Sequence, residues 1–356
     1  MDDSGHTERF EVEFDSDLNR MWAEGTGLAG LLAVDGGARS ILGRRARDVR
    51  HGPCRFGDCF GLANWRRLDG RMLARQVLTD ATAWGPMGYA RLALKALVHS
   101  EDRFARSYPP LGSHEERLTG HLLSELFAGL RTVAPAVSRA ATNALGYPVE
   151  MDLVYADLSA GRVSTFNGRS SARETYTGAD FALMVVRAEH GWANCSVTAA
   201  VFQAKKLVDD RAEIGLSQLV TLLTRGGNGA YYCLYDMLSW RRLAPMVVDA
   251  GDLWRDESNP ERSNKTLDCD PTAFRGVRFT AQPLRLVEAS LAEFLVLQLL
   301  LEEVDGAALR FGSMEEARAA LMGDDAALRP ARVLAVSLQQ SHARQEGRGV
   351  LDLVRG

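Results

Sequence analysis

Lysine is rare in this chain. Four lysines stand against thirty-eight arginines in 356 residues, and two of the four are neighbours, Lys205 and Lys206, in "VFQAKKLV". Arginine is a planar, permanently charged fork, whereas a lysine ammonium is a compact, mobile point charge that can sit beside water and a phosphate oxygen. A Lys-Lys pair at a strand end also suits plain solvation, so its meaning depends on acidic partners nearby. Alternate residues of a strand share a face, which sets Gln203 and Lys205 on one side and Ala204 and Lys206 on the other. If the chain before this strand turns back between Gly191 and Trp192, antiparallel pairing brings Asp180 opposite Gln203. A carboxylate, a carboxamide and an ammonium then gather on two adjacent strands.

A second carboxylate comes from "HEERLTGHLLSELFAGLR", whose apolar residues at 118, 122, 123, 126, 127 and 130 form a helical stripe. At about 100° per residue, Glu115 and Thr119 fall inside that stripe and Glu116 on its border. Either glutamate suits the positive N-terminus of its helix. On a core-facing surface, however, a glutamate is costly unless paired or bound to a metal. Two carboxylates with carbonyl oxygens make a hard-oxygen site suited to Mg2+ (or Mn2+). Such an ion lowers the pKa of a bound water and neutralises charge on a phosphoryl oxygen, while an ammonium beside it stabilises the developing negative charge. The chemistry expected of this set is phosphodiester hydrolysis.

The elements that must position these residues read in order. After the helix come strands in "EMDLVYADL" and "ADFALMVVRA", a turn at "EHGWAN", a third strand "CSVTAAVFQAK", a helix in "AEIGLSQLVTLLTRGG" and a fourth strand "AYYCLYD". A short turn makes the second and third strands antiparallel, and the helix between the third and fourth makes that pair parallel. The expected fold class is therefore α/β, a mixed sheet flanked by helices. Upstream, "RMLARQVLTDAT" and "YARLALKALV" read as helices, and "RSYPPLGS" breaks the chain. Beyond 240, "RGVRFTAQ" and "RVLAVSL" read as strands, with a helix over 284 to 304 that contains the buried run "FLVLQLLL". These divisions give an N-terminal, mostly helical, arginine-rich region (1–110), a core (111–240) and a C-terminal α/β or helical extension (241–356). The last third either extends the same sheet or forms an accessory lobe.

Bulk composition narrows the function classes. With 46% hydrophobic and 25% charged residues the chain is of ordinary globular make-up, and a net charge of −4 argues against an overall cationic coat for nucleic acid. A local basic path remains compatible. From 39 to 75 ten arginines stand against three aspartates, with Phe56, Phe60 and Trp65 interleaved, a composition able to track a phosphate backbone or to form a solvated face. Five scattered cysteines (54, 59, 195, 233, 269) with no CxxC pair suggest reduced thiols and a cytoplasmic protein. His51, Cys54 and Cys59 fit no zinc spacing. "MDDSGHTERFEVEF" lacks the pattern of a secretion signal, and no apolar run approaches the roughly 20 residues needed to cross a bilayer.

"TGAD", twenty-two residues, then "QAK", preceded by a glutamate-bearing helix, resembles the PD-(D/E)xK restriction-endonuclease-like nucleases. The glutamine in place of the acidic residue is similar to the QxK variant of the Mrr-type branch. The order helix, three strands, helix, strand matches that superfamily's core over roughly 111 to 240. The resemblance implies that Asp180 is the principal metal-binding carboxylate, that Gln203 and the Ala204 carbonyl supply further oxygens, and that Lys205 is the catalytic lysine. The helical glutamate it implies is Glu116 or Glu115. Gln218 on the following helix either touches the site or nucleic acid or has a simple surface role. Residue 179 is alanine where proline is usual, and Gln203 removes one negative charge, which Glu174 could restore. The implied function is a Mg2+-dependent DNA endonuclease, in restriction or phage defence by analogy, acting on double-stranded DNA and possible as a homodimer. A catalytically silent nucleic-acid-binding or assembly module, and a ribonuclease using the same site, are the alternatives.

Overall fold

The computed structural model describes residues 4–34, 70–109, 112–158, 179–188, 195–261, 270–301, 308–321 and 330–340. The chain begins with helices α1 (Ser4–Glu24), α2 (Gly27–Ala33), α3 (Gly70–Thr79), α4 (Gly88–Ser107) and the long α5 (Glu115–Leu145), which ends on Gly146 in the left-handed region at φ 76°. Strands β1 (Val149–Asp157), β2 (Phe181–Ala188) and β3 (Cys195–Leu207) follow, then β4 (Ala212–Gly215), α6 (Leu216–Gly226) and β5 (Ala230–Asp236). The remainder supplies β6 (Met246–Asp249), α7 (Ala250–Arg255), β7 (Arg278–Ala281), β8 (Val287–Ser290), a helix α8 from Leu291, β9 (Leu309–Phe311), α9 (Met314–Leu321) and β10 (Arg332–Gln340). The fold is α/β, a mixed and largely open sheet flanked by helices.

Strand order is β1-β10-β2-β3-β5-β6-β8, with β9 attached to the start of β3 and β4 and β7 forming a separate ribbon. The β2–β3 hairpin pairs Phe181 with Phe202 through Ala188 with Cys195, the register expected from the sequence. β3 and β5 are parallel, joined over the sheet by α6. Both β2 and most of β3 are buried on both faces, which is why their sequences read as nearly continuous apolar runs. The stacked rings of Phe181 and Phe202, 4.7 Å apart, lock the hairpin beside the end that carries Asp180.

Three expectations need correction. β10 inserts between β1 and β2, antiparallel to the first and parallel to the second, so the boundary drawn at 240 cuts through the central sheet. Its "RVLAVSL" run is as apolar as β2, but nothing local says which neighbour it joins. The stretch "AEIG" is β4, paired to β7, and the helix starts only after Gly215. The helix over 284 to 304 shrinks. Pro283–Leu286 is a 3-10 turn and Val287–Ser290 a strand, and the helix begins where Ser290 and Glu293 form a capping box, continuing as a π-helix over Phe294–Leu300. Buried apolar side chains from Phe14 to Val336 belong to one connected core, which the N-terminal helices share. Among the described residues no helix is long and apolar enough to cross a membrane.

Candidate active site

The site forms where β3 outruns β2. Along this edge alternate residues of β3 turn their main-chain groups toward β2. Phe202 accepts from Asp180 N–H at 2.7 Å, but Ala204 and Lys206 lie past the last paired residue of β2. Carboxylates take over there. Ala204 N–H donates to Asp180 Oδ2 at 2.7 Å, and Lys206 N–H to Glu115 Oε1 at 3.1 Å. The Ala204 carbonyl faces the same gap, with Gln203 Nε2 3.5 Å away. A strand end whose unpaired amides are claimed by side chains satisfies its polar groups and concentrates negative charge in the same place.

Asp180 is held from several sides. Its carbonyl accepts from Arg332 N–H at 3.1 Å, and its Oδ2 also accepts from Gln203 Nε2 at 2.6 Å. Gln203, fully buried, thus presents its nitrogen rather than its oxygen to Asp180. Lys205 extends from the same strand to Glu115 Oε2, 3.2 Å from its Nζ, with 12% of the side chain exposed. Glu115 is the first residue of α5, and one turn later Thr119 hydrogen-bonds Tyr235 Oη at 2.9 Å, tying the helix start to β5.

The two glutamates left open by the sequence separate here. Glu115 is the carboxylate at Lys205. Glu116, placed first among the candidates by sequence, is 74% exposed and lies 3.6 Å from Arg332 Nη2. Arg332 in turn donates to Asp157 Oδ2 at 3.1 Å, so Glu116, Arg332 and Asp157 form a neighbouring polar cluster at the same sheet end. The physical reason is helical phase. Adjacent helical residues project about 100° apart, and only Glu115 points along the stripe toward β3. On the other side Lys205 lines a cavity of about 280 Å3 with Glu213, Ser217, Gln218, Gly276 and Arg278. Gln218 therefore faces the same space as the lysine, at the N-terminal turn of α6, where Gly215 gives no side-chain cap.

Sequence reasoning missed Tyr232, whose fully buried side chain stands on β5 level with Gln203. Burial, then the charges of Asp180 and Glu115, push its phenol further up from the ordinary tyrosine value. It also missed Asp157 and Arg332. Strand parity would have found Tyr232 once the β3–β5 register was known, but no local signal marks the arginine, which arrives on β10. Cys195 and Cys233 are buried and reduced, and burial holds the Cys233 thiol well above its usual value, against a role as nucleophile. Glu174, His51, Cys54, Cys59 and most of the 39 to 75 stretch lie outside the described residues. Of that stretch, Arg71 donates to the Trp22 carbonyl at 2.6 Å and Arg75 to the Asn19 side chain, both tying α3 to α1.

The donor set can be tested for a divalent cation. Among the described residues no three His, Cys, Asp or Glu side chains are gathered to hold a metal. Two carboxylates, Asp180 and Glu115, and the Ala204 carbonyl do converge on one strand end, all hard oxygens of the kind Mg2+ takes alongside several waters. These donor types fit such an ion. Comparison of the chain with known protein families, with curated proteins and with solved structures returns no match.

Proposed function

We propose that this protein is a Mg2+-dependent (or Mn2+-dependent) nuclease of the restriction-endonuclease-like type, most simply a DNA endonuclease. The observation that carries the reading is the convergence of Asp180, Glu115 and Lys205 at the free end of β3. Asp180, Glu115 and the Ala204 carbonyl would hold the cation, and Gln203, whose NH2 faces Asp180, would hold that carboxylate in place. When bound, such an ion supplies an acidified water and neutralises charge on a phosphoryl oxygen. Lys205, largely withdrawn from solvent, keeps its ammonium beside that position, and its field is stronger there than in bulk water. Asp180 is oriented by two N–H donors and does not need to find its geometry on binding. The cavity beyond Lys205, with Gln218 and Arg278 on its walls, offers donors for a phosphate of the substrate chain. Double-stranded DNA as substrate, a defence role, a homodimer that cuts both strands and a cytoplasmic location belong to this same reading.

A catalytically silent binding module is the second reading, favoured by Gln203, which gives Asp180 a hydrogen bond in place of a third carboxylate. The deciding experiment incubates wild type, Asp180→Ala and Lys205→Ala with supercoiled plasmid, linear duplex, single-stranded DNA and RNA, each with Mg2+, Mn2+ or EDTA. Metal-dependent cleavage reduced about 10²- to 10³-fold or more in both variants is expected. The preferred substrate then separates deoxyribonuclease from ribonuclease. Cleavage indifferent to Lys205 sinks the assignment, and folded wild type that cuts nothing but binds nucleic acid favours the silent module.

A further inference from the structure

β1 is the last strand of the sheet on one side: among the described residues it pairs with β10 alone, over all nine of its residues. Main-chain groups of an antiparallel strand point alternately to its two sides. Leu158 N–H, next after the strand, donates to the Ala331 carbonyl at 2.8 Å, so the even-numbered residues face β10 and the odd-numbered ones face outward. An edge of that length, with a row of outward N–H and C=O groups, is a template for a strand of another chain. Here its first amides are already taken. Val149 N–H donates to Thr142 Oγ1 at 2.9 Å, Met151 N–H to Ser138 Oγ at 2.9 Å, and Leu153 N–H to Asp152 Oδ1 at 2.8 Å.

We propose that Ser138 and Thr142 of α5 take the place of a neighbouring strand and close this edge against β1 of a second copy of the chain. The two hydroxyls suit the task by their spacing. Four residues of helix advance about 6 Å and two residues of strand about 6.7 Å, so side chains at 138 and 142 meet alternate amides of a strand that runs back alongside. The turn at Gly146 makes that reversal. Thr142 does for Val149 what an antiparallel residue does, accepting from its N–H and donating to its carbonyl at 3.4 Å. Ser138 accepts from Met151 N–H and donates to the Ala134 carbonyl of its own helix at 2.8 Å. Four residues before Ser138 the helix carries alanine, and the next outward amide, that of Leu153, turns to the Asp152 carboxylate instead. Neither hydroxyl serves the helix itself, where alanine is the better residue. A homodimer of the proposed nuclease would form through another surface, and the edge is closed whether or not the site cleaves.

The test compares the full chain with Ser138→Ala, Thr142→Val and the double variant by sedimentation equilibrium at about 0.5 M salt, where repulsion between the acidic residues of β1 is screened. Circular dichroism confirms the fold of each. The double variant is expected to self-associate about tenfold more tightly than wild type, because its two freed amides find protein acceptors only in the associated form. Each single variant should fall between, and carries the test alone if the double variant does not fold. Ser138→Thr combined with Thr142→Ser keeps both hydroxyls and should match wild type. Met151→Pro added to the double variant removes an outward N–H from β1 and should return association to the wild-type level. Folded variants without the hydroxyls that associate no more than wild type would overturn the proposal. So would association that Met151→Pro leaves unchanged, since the new contact would then lie away from β1.

Discussion

At the residue scale the lysine pair divides its work. Lys205 sends its ammonium to Glu115, while Lys206 contributes its main-chain N–H to the same carboxylate, so one glutamate closes both the side-chain and the backbone needs of the strand end. Removing that carboxylate should be felt at once. Glu115→Gln is expected to lower metal-dependent cleavage by about 10²-fold, because it removes a proposed cation ligand and the partner of a largely buried ammonium. Glu116→Gln, at an exposed residue, should stay within about threefold of wild type. Initial rates on the preferred substrate decide this, and the reverse ranking would place the cation nearer Arg332. The residue types of the site were legible in sequence, since Asp180, Gln203 and Lys205 follow from strand parity and hairpin register. The choice between Glu115 and Glu116 was not, because two neighbouring helical positions differ only in phase against a sheet the sequence does not orient.

At the element scale, α4 and α5 hold the sheet from one side, and both carry a residue that depends on that contact. A Cβ on Gly129 would run into Ser100 Oγ and stand 3.2 Å from the Ala96 carbonyl. Gly129→Ala should therefore destabilise the fold by roughly 1–3 kcal/mol, read as a lower Tm, despite alanine's better helix propensity. Glu101 on α4 is fully buried and accepts from Ala292 N–H at 2.7 Å, bridging α4 to the start of α8. Burial, the largest effect, and then the nearby Glu293 push its carboxyl well above the usual range, against the pull of hydrogen bonds from Ala292 and Ser290. A carboxyl raised in the folded state contributes its full stability below the ordinary carboxylate pKa and loses it as pH rises through the raised value. Glu101→Gln keeps an acceptor and has no proton to lose. Its Tm relative to wild type should rise as pH climbs above the ordinary carboxylate range, and a flat difference would show Glu101 ionised without penalty.

At the scale of the whole molecule, the sheet does not respect sequence segments. A fragment spanning 111 to 240 keeps every proposed catalytic residue but leaves β1 and β2 without the strand that joins them. It also loses the part of the core supplied by Phe14 to Phe104. Such a fragment should show no cooperative melting transition by circular dichroism, whereas a separable nuclease core would show one. On the proposed nuclease reading, substrate reaches the edge where β3 and β5 end. Just past β5 stands Trp240, 77% exposed, in a turn clamped by Arg241, whose guanidinium makes two 2.8 Å bonds to Asp236 and another to Asp210. Nucleic acid lying across this edge should change the emission of the non-cleaving Asp180→Ala protein, weaken in its binding as salt rises, and lose that change in a Trp240→Phe background. An identical response with Trp240 removed would place the strand elsewhere.

By itself the sequence determined the α/β class, the element order from α5 to β5 apart from the short β4, the β2–β3 register and the identity of three residues at the strand end. Those follow from local periodicity and from the two-residue repeat of a strand, which need no knowledge of distant partners. Tertiary structure decided the rest. It seated β10 in the middle of the sheet, turned Glu115 rather than Glu116 to the lysine, and set Tyr232 in line with Gln203. Each of those outcomes depends on how elements far apart in the chain dock, and an apolar strand or a helix N-terminus carries no mark of which partner it will meet.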